Sequence, residues 1–126
     1  MNNFYTNNFP LTNVYKRASS KSELVTQMIY GENFKIINKS LRWMKIKIKS
    51  DGYLGYIKKK KFNLFLKPTH KVSSLFANIY KSSNFNKKIG VLPYISKIKV
   101  NKKISKFANF ENKWIETKNI KPIKYK

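Results

Sequence analysis

A chain of 126 residues with 41% hydrophobic and 15% aromatic side chains has enough apolar material for two small cores and too little for a large enzyme domain beside them. It has no cysteine and a single histidine, His70, which excludes disulfide staples, thiolate nucleophiles and cysteine metal sites. The formal net charge of +23 invites polyanions, yet only Arg17 and Arg42 among the 28 basic residues are arginine, and the excess of Lys, Asn, Ile, Phe and Tyr also fits compositional drift in an AT-rich genome.

Residues 1–12 read as a polar leader whose Pro10 suits an extended approach to the first strand. Asn13-Val14-Tyr15-Lys16 opens an alternating segment. Arg17 through Glu23 has no apolar period and reads as a long surface loop, where small β-barrels build ligand contacts. Leu24, Val25, Met28 and Ile29 match one helical turn, but Tyr30-Gly31-Glu32 breaks it, so a strand ending at Gly31 is predicted. From Asn33, Phe34 and Ile36 lead to a polar turn at Asn38-Lys39-Ser40. Trp43, Lys45, Lys47 and Lys49 then alternate with Met44, Ile46 and Ile48, which predicts a hairpin with one buried face and one lysine face. Ser50-Asp51-Gly52 is a tight-turn signal, and Tyr53 to Ile57 is a closing strand in which Gly55 marks a close backbone approach or a bulge. Lys58 to Lys61 reads as an exposed turn, with a phosphate-binding patch as the alternative.

The pattern then recurs. Asn78-Ile79-Tyr80-Lys81 repeats Asn13-Val14-Tyr15-Lys16, and Ile98-Lys99-Val100 repeats Phe34-Lys35-Ile36. Phe107 answers Trp43, and Lys113-Trp114-Ile115 answers Gly55-Tyr56-Ile57 after a shorter loop. Repetition at this period predicts two small domains of one kind, 13–66 and 67–126. The connection from Phe62 to His70 is short, partly apolar and restrained by Pro68, so the two are expected to pack together. Pro93 suits an edge or turn of the second domain, and Pro122 ends the pattern before a tail of Ile123 to Lys126. There is no apolar run of membrane-spanning length and no signal-peptide pattern at the start, from which a cytoplasmic bacterial protein is expected.

Several short motifs of the first copy stand in order: Ser22-Glu23-Leu24-Val25-Thr26-Gln27, Tyr30-Gly31-Glu32, Arg42-Trp43-Met44-Lys45-Ile46 and Asp51-Gly52-Tyr53-Leu54-Gly55-Tyr56-Ile57. Together they resemble the bacterial SH3-like domain that precedes the catalytic domain of NlpC-type cell-wall peptidases, among them the dipeptidyl-peptidases that cut γ-D-glutamyl-diamino-acid bonds. The second copy, ending in Trp114-Ile115 and Ile120-Lys121-Pro122-Ile123, is similar to the more degenerate second SH3-like domain of those proteins. The resemblance implies an all-β fold of two tandem SH3-like barrels. It also implies that the first of them helps recognise the free amine of a murein peptide's leading L-alanine. An ammonium needs a carboxylate and an aromatic wall. Glu23 with Tyr53 is the preferred pair, with Tyr56 as a further wall and Asp51 and Glu32 as the other acids in family-like motifs.

Each of these residues has a plainer reading. Glu23 can pair with a neighbouring lysine, and Asp51 can cap its own turn. Thr26 and Gln27 can satisfy buried backbone groups, while Trp43, Tyr56 and Trp114 suit core positions. Glu111 and Glu116 lack the motif context, and the second copy is assigned a structural role. The peptidases use a cysteine nucleophile with a histidine base, so no catalytic residue, metal or cofactor is expected here, and His70 reads as structural or exposed. The expected function is a non-catalytic tandem that binds or positions murein peptides as the N-terminal part of an NlpC-type peptidase, with murein peptides and a separately encoded NlpC-type catalytic domain as the expected partners. The alternative is a lysine-rich SH3-like protein that binds nucleic acid non-specifically or associates with the ribosome.

Overall fold

The computed structural model describes residues 4–123 and divides the chain into two compact units, Met1–Leu66 and Lys67–Lys126. The first unit contains β1 (Phe4–Thr6), β2 (Leu11–Tyr15), β3 (Leu24–Ile29), β4 (Asn33–Lys39), β5 (Trp43–Ile48), β6 (Leu54–Lys58) and β7 (Asn63–Leu64). The second contains β8 (His70–Val72), β9 (Phe76–Tyr80), β10 (Lys88–Pro93), β11 (Lys97–Ile98), β12 (Lys102–Ile104), β13 (Phe107–Phe110), β14 (Lys113–Glu116) and β15 (Ile120–Pro122), with a single 3-10 turn at Thr117–Asn119. Among the described residues the strands pair antiparallel. Both units are small SH3-like β-barrels.

In the first unit the strands follow the order β3-β2-β6-β5-β4-β1-β7. Alternation puts Val14, Met28, Phe34, Met44, Ile46, Ile48 and Ile57 inside, with Tyr5, Ile36 and Phe62 packed against them. The predicted β4–β5 hairpin forms with Ile36 opposite Ile46 and a bulge between Ile36 and Asn38. Lys47 and Lys49 lie on its exposed face. The Gly31 backbone is left-handed (φ +87°), as the turn signal required.

The second unit uses the same order in two pieces, β10-β9-β14-β13-β12 and β11-β8-β15, because the counterpart of β4 is interrupted between β11 and β12. Tyr15 pairs with Tyr56 in the first unit, and Tyr80 with Trp114 in the second. Met44 faces Ile57 as Ala108 faces Ile115. The shorter final loop of the second unit is the two-residue turn Glu111-Asn112, both residues with positive φ (+47° and +62°), the geometry of a type I′ hairpin. Pro93 sits at the end of β10, an edge strand where no ladder donor is lost.

The leader expected over residues 1–12 differs from the structure. Residues 4–6 form β1, which pairs with β4 and β7, and β2 already starts at Leu11. The link between them is held by Asn7, which is fully buried and almost completely hydrogen-bonded. Its Nδ2 donates to the carbonyls of Ile29 (2.9 Å), Phe9 (3.1 Å) and Met28 (3.2 Å), and its Oδ1 accepts from Thr12 Oγ1 at 2.8 Å. Its backbone N–H donates to the Glu32 carbonyl, and its carbonyl accepts from Gly31 N–H, both at 2.8 Å. A polar residue is therefore built into the barrel because the side-chain and backbone groups of Asn7 all find partners. Likewise, His70 was expected in a connection but lies in β8, opposite Ile98 and Pro122. Of the expected tail, residues 124–126 lie outside the described residues.

Asn7→Ala removes the donors to three carbonyls in a dry site. It should destabilise the first unit by about 1–3 kcal/mol, read as a lower urea midpoint with an unchanged slope.

Candidate ligand surface on the first unit

Strands β2, β6 and β5 turn Val14, Ile57 and Met44 inward, so Tyr15, Tyr56 and Trp43 face outward together with Lys45 and Lys58. The register sets Trp43 opposite Lys58, and Tyr56 opposite both Lys45 and Tyr15. Tyr15 and Trp43 meet edge to face, with ring centroids 5.8 Å apart at 85°. Expected as core, Trp43, Tyr56 and Trp114 are instead half-buried, because their inward neighbours Met44, Ile57 and Ile115 already fill the interior.

Gly55 lets β6 approach β2 this closely. A methyl there would collide with Val14 Cγ1 and stand 3.0 Å from the Tyr15 carbonyl oxygen. The close approach anticipated for this glycine is therefore what brings Tyr15 beside Tyr56.

Three concavities surround the aromatic face. The first, of about 330 Å3, is lined by Asn13, Tyr15, Gln27, Lys58 and Lys60 among others. A second, of about 660 Å3, lies between Ser19 and Ser20 of the β2–β3 loop and Arg42, Trp43, Lys58 and Lys59. A small third one contains Tyr56, Trp43 and Lys45. Lys59 N–H donates to the Arg42 carbonyl at 2.8 Å, which holds these two basic residues side by side.

The sequence-predicted residues are distributed as follows. Glu23 is exposed just before β3, where its carbonyl accepts from Lys16 N–H at 2.8 Å. Its carboxylate makes no ion pair among the described residues. Tyr53, 52% exposed, precedes β6, so strand β2 lies between it and Glu23 in the sheet order. Asp51 Oδ1 accepts from Tyr53 N–H at 3.1 Å, the turn-capping role. Tyr56 alone of the four lines one of the three concavities described. Glu32 is occupied structurally, its carboxylate accepting from Ile29 N–H at 2.8 Å. Gln27 is exposed and donates to Asn13 Oδ1 at 2.8 Å, so it does not serve a buried backbone group.

The second unit carries a matching aromatic pair, but covered. Tyr80 and Phe107 also meet edge to face at 5.8 Å, and Phe85 from the β9–β10 loop packs on both, at 5.5 and 5.0 Å. Tyr80 and Phe107 are consequently only 6% and 4% exposed. The loop registers agree: Ser19 N–H donates to the Arg17 carbonyl as Asn84 N–H does to that of Ser82, which aligns Ser20 with Phe85. No sequence signal marked this difference, because one aromatic residue in a polar loop has no periodicity.

No group of His, Asp and Glu among the described residues is arranged to hold a metal, and none of their helices is long and apolar enough to cross a membrane. Residues 14–62 match the family of the bacterial dipeptidyl-peptidase SH3 domain. The first unit therefore carries the match to this bacterial SH3 domain family. Among solved structures, an NlpC/P60 family protein from Bacillus cereus ATCC 10987 superposes with a TM-score of 0.75 at 12% identity, over 94% of this chain. That likeness shows a shared fold, and the chain spans 55% of the length of that structure. No curated protein matches the chain.

Burial, and then the charge of Lys103, lower the pKa of the His70 imidazole from its ordinary value of 6.5. Protonation thus favours the unfolded chain, so the stability His70 contributes is present above that value and declines as pH falls through it. An NMR titration of the ring protons should give a midpoint below 6.5. A midpoint at or above it contradicts the assigned environment.

Proposed function

We propose that the chain binds and positions murein peptides for an NlpC-type peptidase, with the first unit making the contacts and the second serving as support. The match of residues 14–62 to the dipeptidyl-peptidase SH3 domain carries this reading. The shared fold with an NlpC/P60 family protein supports it. So does the contrast between an open aromatic face on the first unit and one filled by Phe85 on the second. The common strand order favours reading the two units as a tandem pair.

In this reading the uncommitted carboxylate of Glu23 receives the peptide's free ammonium, and Tyr53 and Tyr56 supply aromatic surface. Asp51 acts indirectly, by holding the turn that presents Tyr53. Hydrolysis belongs to a catalytic domain outside these residues, since the chain contains no cysteine to serve as nucleophile.

Calorimetry with an L-Ala-γ-D-Glu-diamino-acid peptide tests the assignment. Glu23→Gln should weaken binding by about 1.5–3 kcal/mol, while Glu116→Gln, whose carboxylate lies 3.7 Å from Lys118 Nζ, leaves it unchanged. Equal effects would remove the proposed site. Incubated with the same peptide, the pure chain should release no product; cleavage would refute a purely binding role.

A further inference from the structure

The slot above Tyr15 and Trp43 has a shape the molecule itself defines. In the second unit the equivalent slot holds an aromatic ring, Phe85, packed on Tyr80 and Phe107. In the first unit Ser20 occupies the aligned loop position and has no ring to contribute, so the Trp43 side stays open. The loop is ordered by its own bonds: Ser22 Oγ donates to the Ser19 carbonyl at 2.7 Å, and Ser19 Oγ accepts from Lys21 N–H at 3.2 Å.

The rim of this open slot is cationic. Arg42, Lys58 and Lys59 stand around Trp43, and none has a carboxylate partner among the described residues. A ligand matching both features joins a flat ring to an anionic group. We infer that the slot binds a nucleotide unit of single-stranded nucleic acid, its base taking on Trp43 the place that Phe85 takes in the second unit and its phosphate meeting Arg42, Lys58 and Lys59. Stacking on an aromatic side chain beside a basic groove is the sequence-tolerant mode of single-strand binding. A polyol phosphate or a lipid headgroup satisfies the cations but offers no ring. A murein peptide offers carboxylates but likewise no ring. The inference does not rest on the murein reading, but it uses the same open face, so the test sets the two ligands against each other.

The test is anisotropy of a labelled twelve-nucleotide oligo-dT with the full chain, at several salt concentrations, with inorganic polyphosphate as competitor. Ser20→Phe fills the slot at an exposed position and leaves the charge intact. It should weaken oligo-dT binding roughly fivefold or more, with the salt slope and polyphosphate affinity unchanged. Arg42→Ala should reduce the slope by about 0.7, the loss of one phosphate contact, whereas Lys118→Ala should not. In a Trp114→Phe background, which leaves Trp43 as the one indole, oligo-dT should quench the emission and polyphosphate should not. The inference is overturned by wild-type oligo-dT affinity in a folded Ser20→Phe chain, or by the absence of quenching. It also fails if polyphosphate binds as tightly as oligo-dT, or if the murein peptide quenches Trp43 and displaces the oligonucleotide.

Discussion

The outer surface of the first unit depends on one close passage of backbone. Strand β6 lies against β2 at Gly55, where the space that any side chain would need is taken by Val14 and the Tyr15 carbonyl. The passage closes the sheet between β2 and β5, so that residues from distant parts of the chain, Tyr15, Trp43 and Tyr56, share one face. Tyr56 in the peptide proposal and Trp43 in the nucleotide proposal are both side chains that this contact aligns.

The second unit shows what happens when the same strand order is kept and its local chemistry changes. The backbone pair made by Asn7 with Gly31 and Glu32 recurs as Val72 with Ile95 and Ser96, but valine brings no polar side chain to the knot. Ile95 takes the left-handed conformation (φ +74°) that glycine takes in the first unit, a conformation a β-branched residue rarely adopts. At the open face, Phe85 replaces Ser20 and, itself still partly exposed, covers the slot and buries Tyr80 and Phe107. Each change trades a specific polar or conformational feature for apolar packing. That suits a support better than a receptor.

Much of the architecture is legible in the sequence because it rests on period-two alternation and turn residues. Met44, Ile46 and Ile48 against Lys45, Lys47 and Lys49 specify a half-buried strand, and Gly31, Asp51-Gly52 and Gly55 fall where the backbone needs them. The paired Tyr15 and Tyr80 motifs do occupy matching registers. What escaped was structure made by pairing across long separations. Strand β1 is three residues long and its neighbour Asn7 is polar, so nothing in that segment advertises burial until Met28 and Ile29 supply acceptors. Trp43 and Tyr56 looked like core because they are large aromatics, yet alternation with Met44 and Ile57 decides their direction. The candidate site was legible only in part: Asp51 is spent on its turn, Glu32 on Ile29, and Glu23 and Tyr53 stand on opposite sides of β2. The slot between Ser20 and Trp43 depends on a loop folding over a strand, which no spacing rule encodes.

The measurement that bears most directly on this account is the stability and spectrum of Gly55→Ala. If the close passage organises the face, the added methyl should cost about 1–3 kcal/mol in urea unfolding and shift the NMR resonances of Tyr15, Trp43 and Tyr56 while those of the second unit stay in place. A variant as stable as the parent, with those aromatic resonances unmoved, would contradict it.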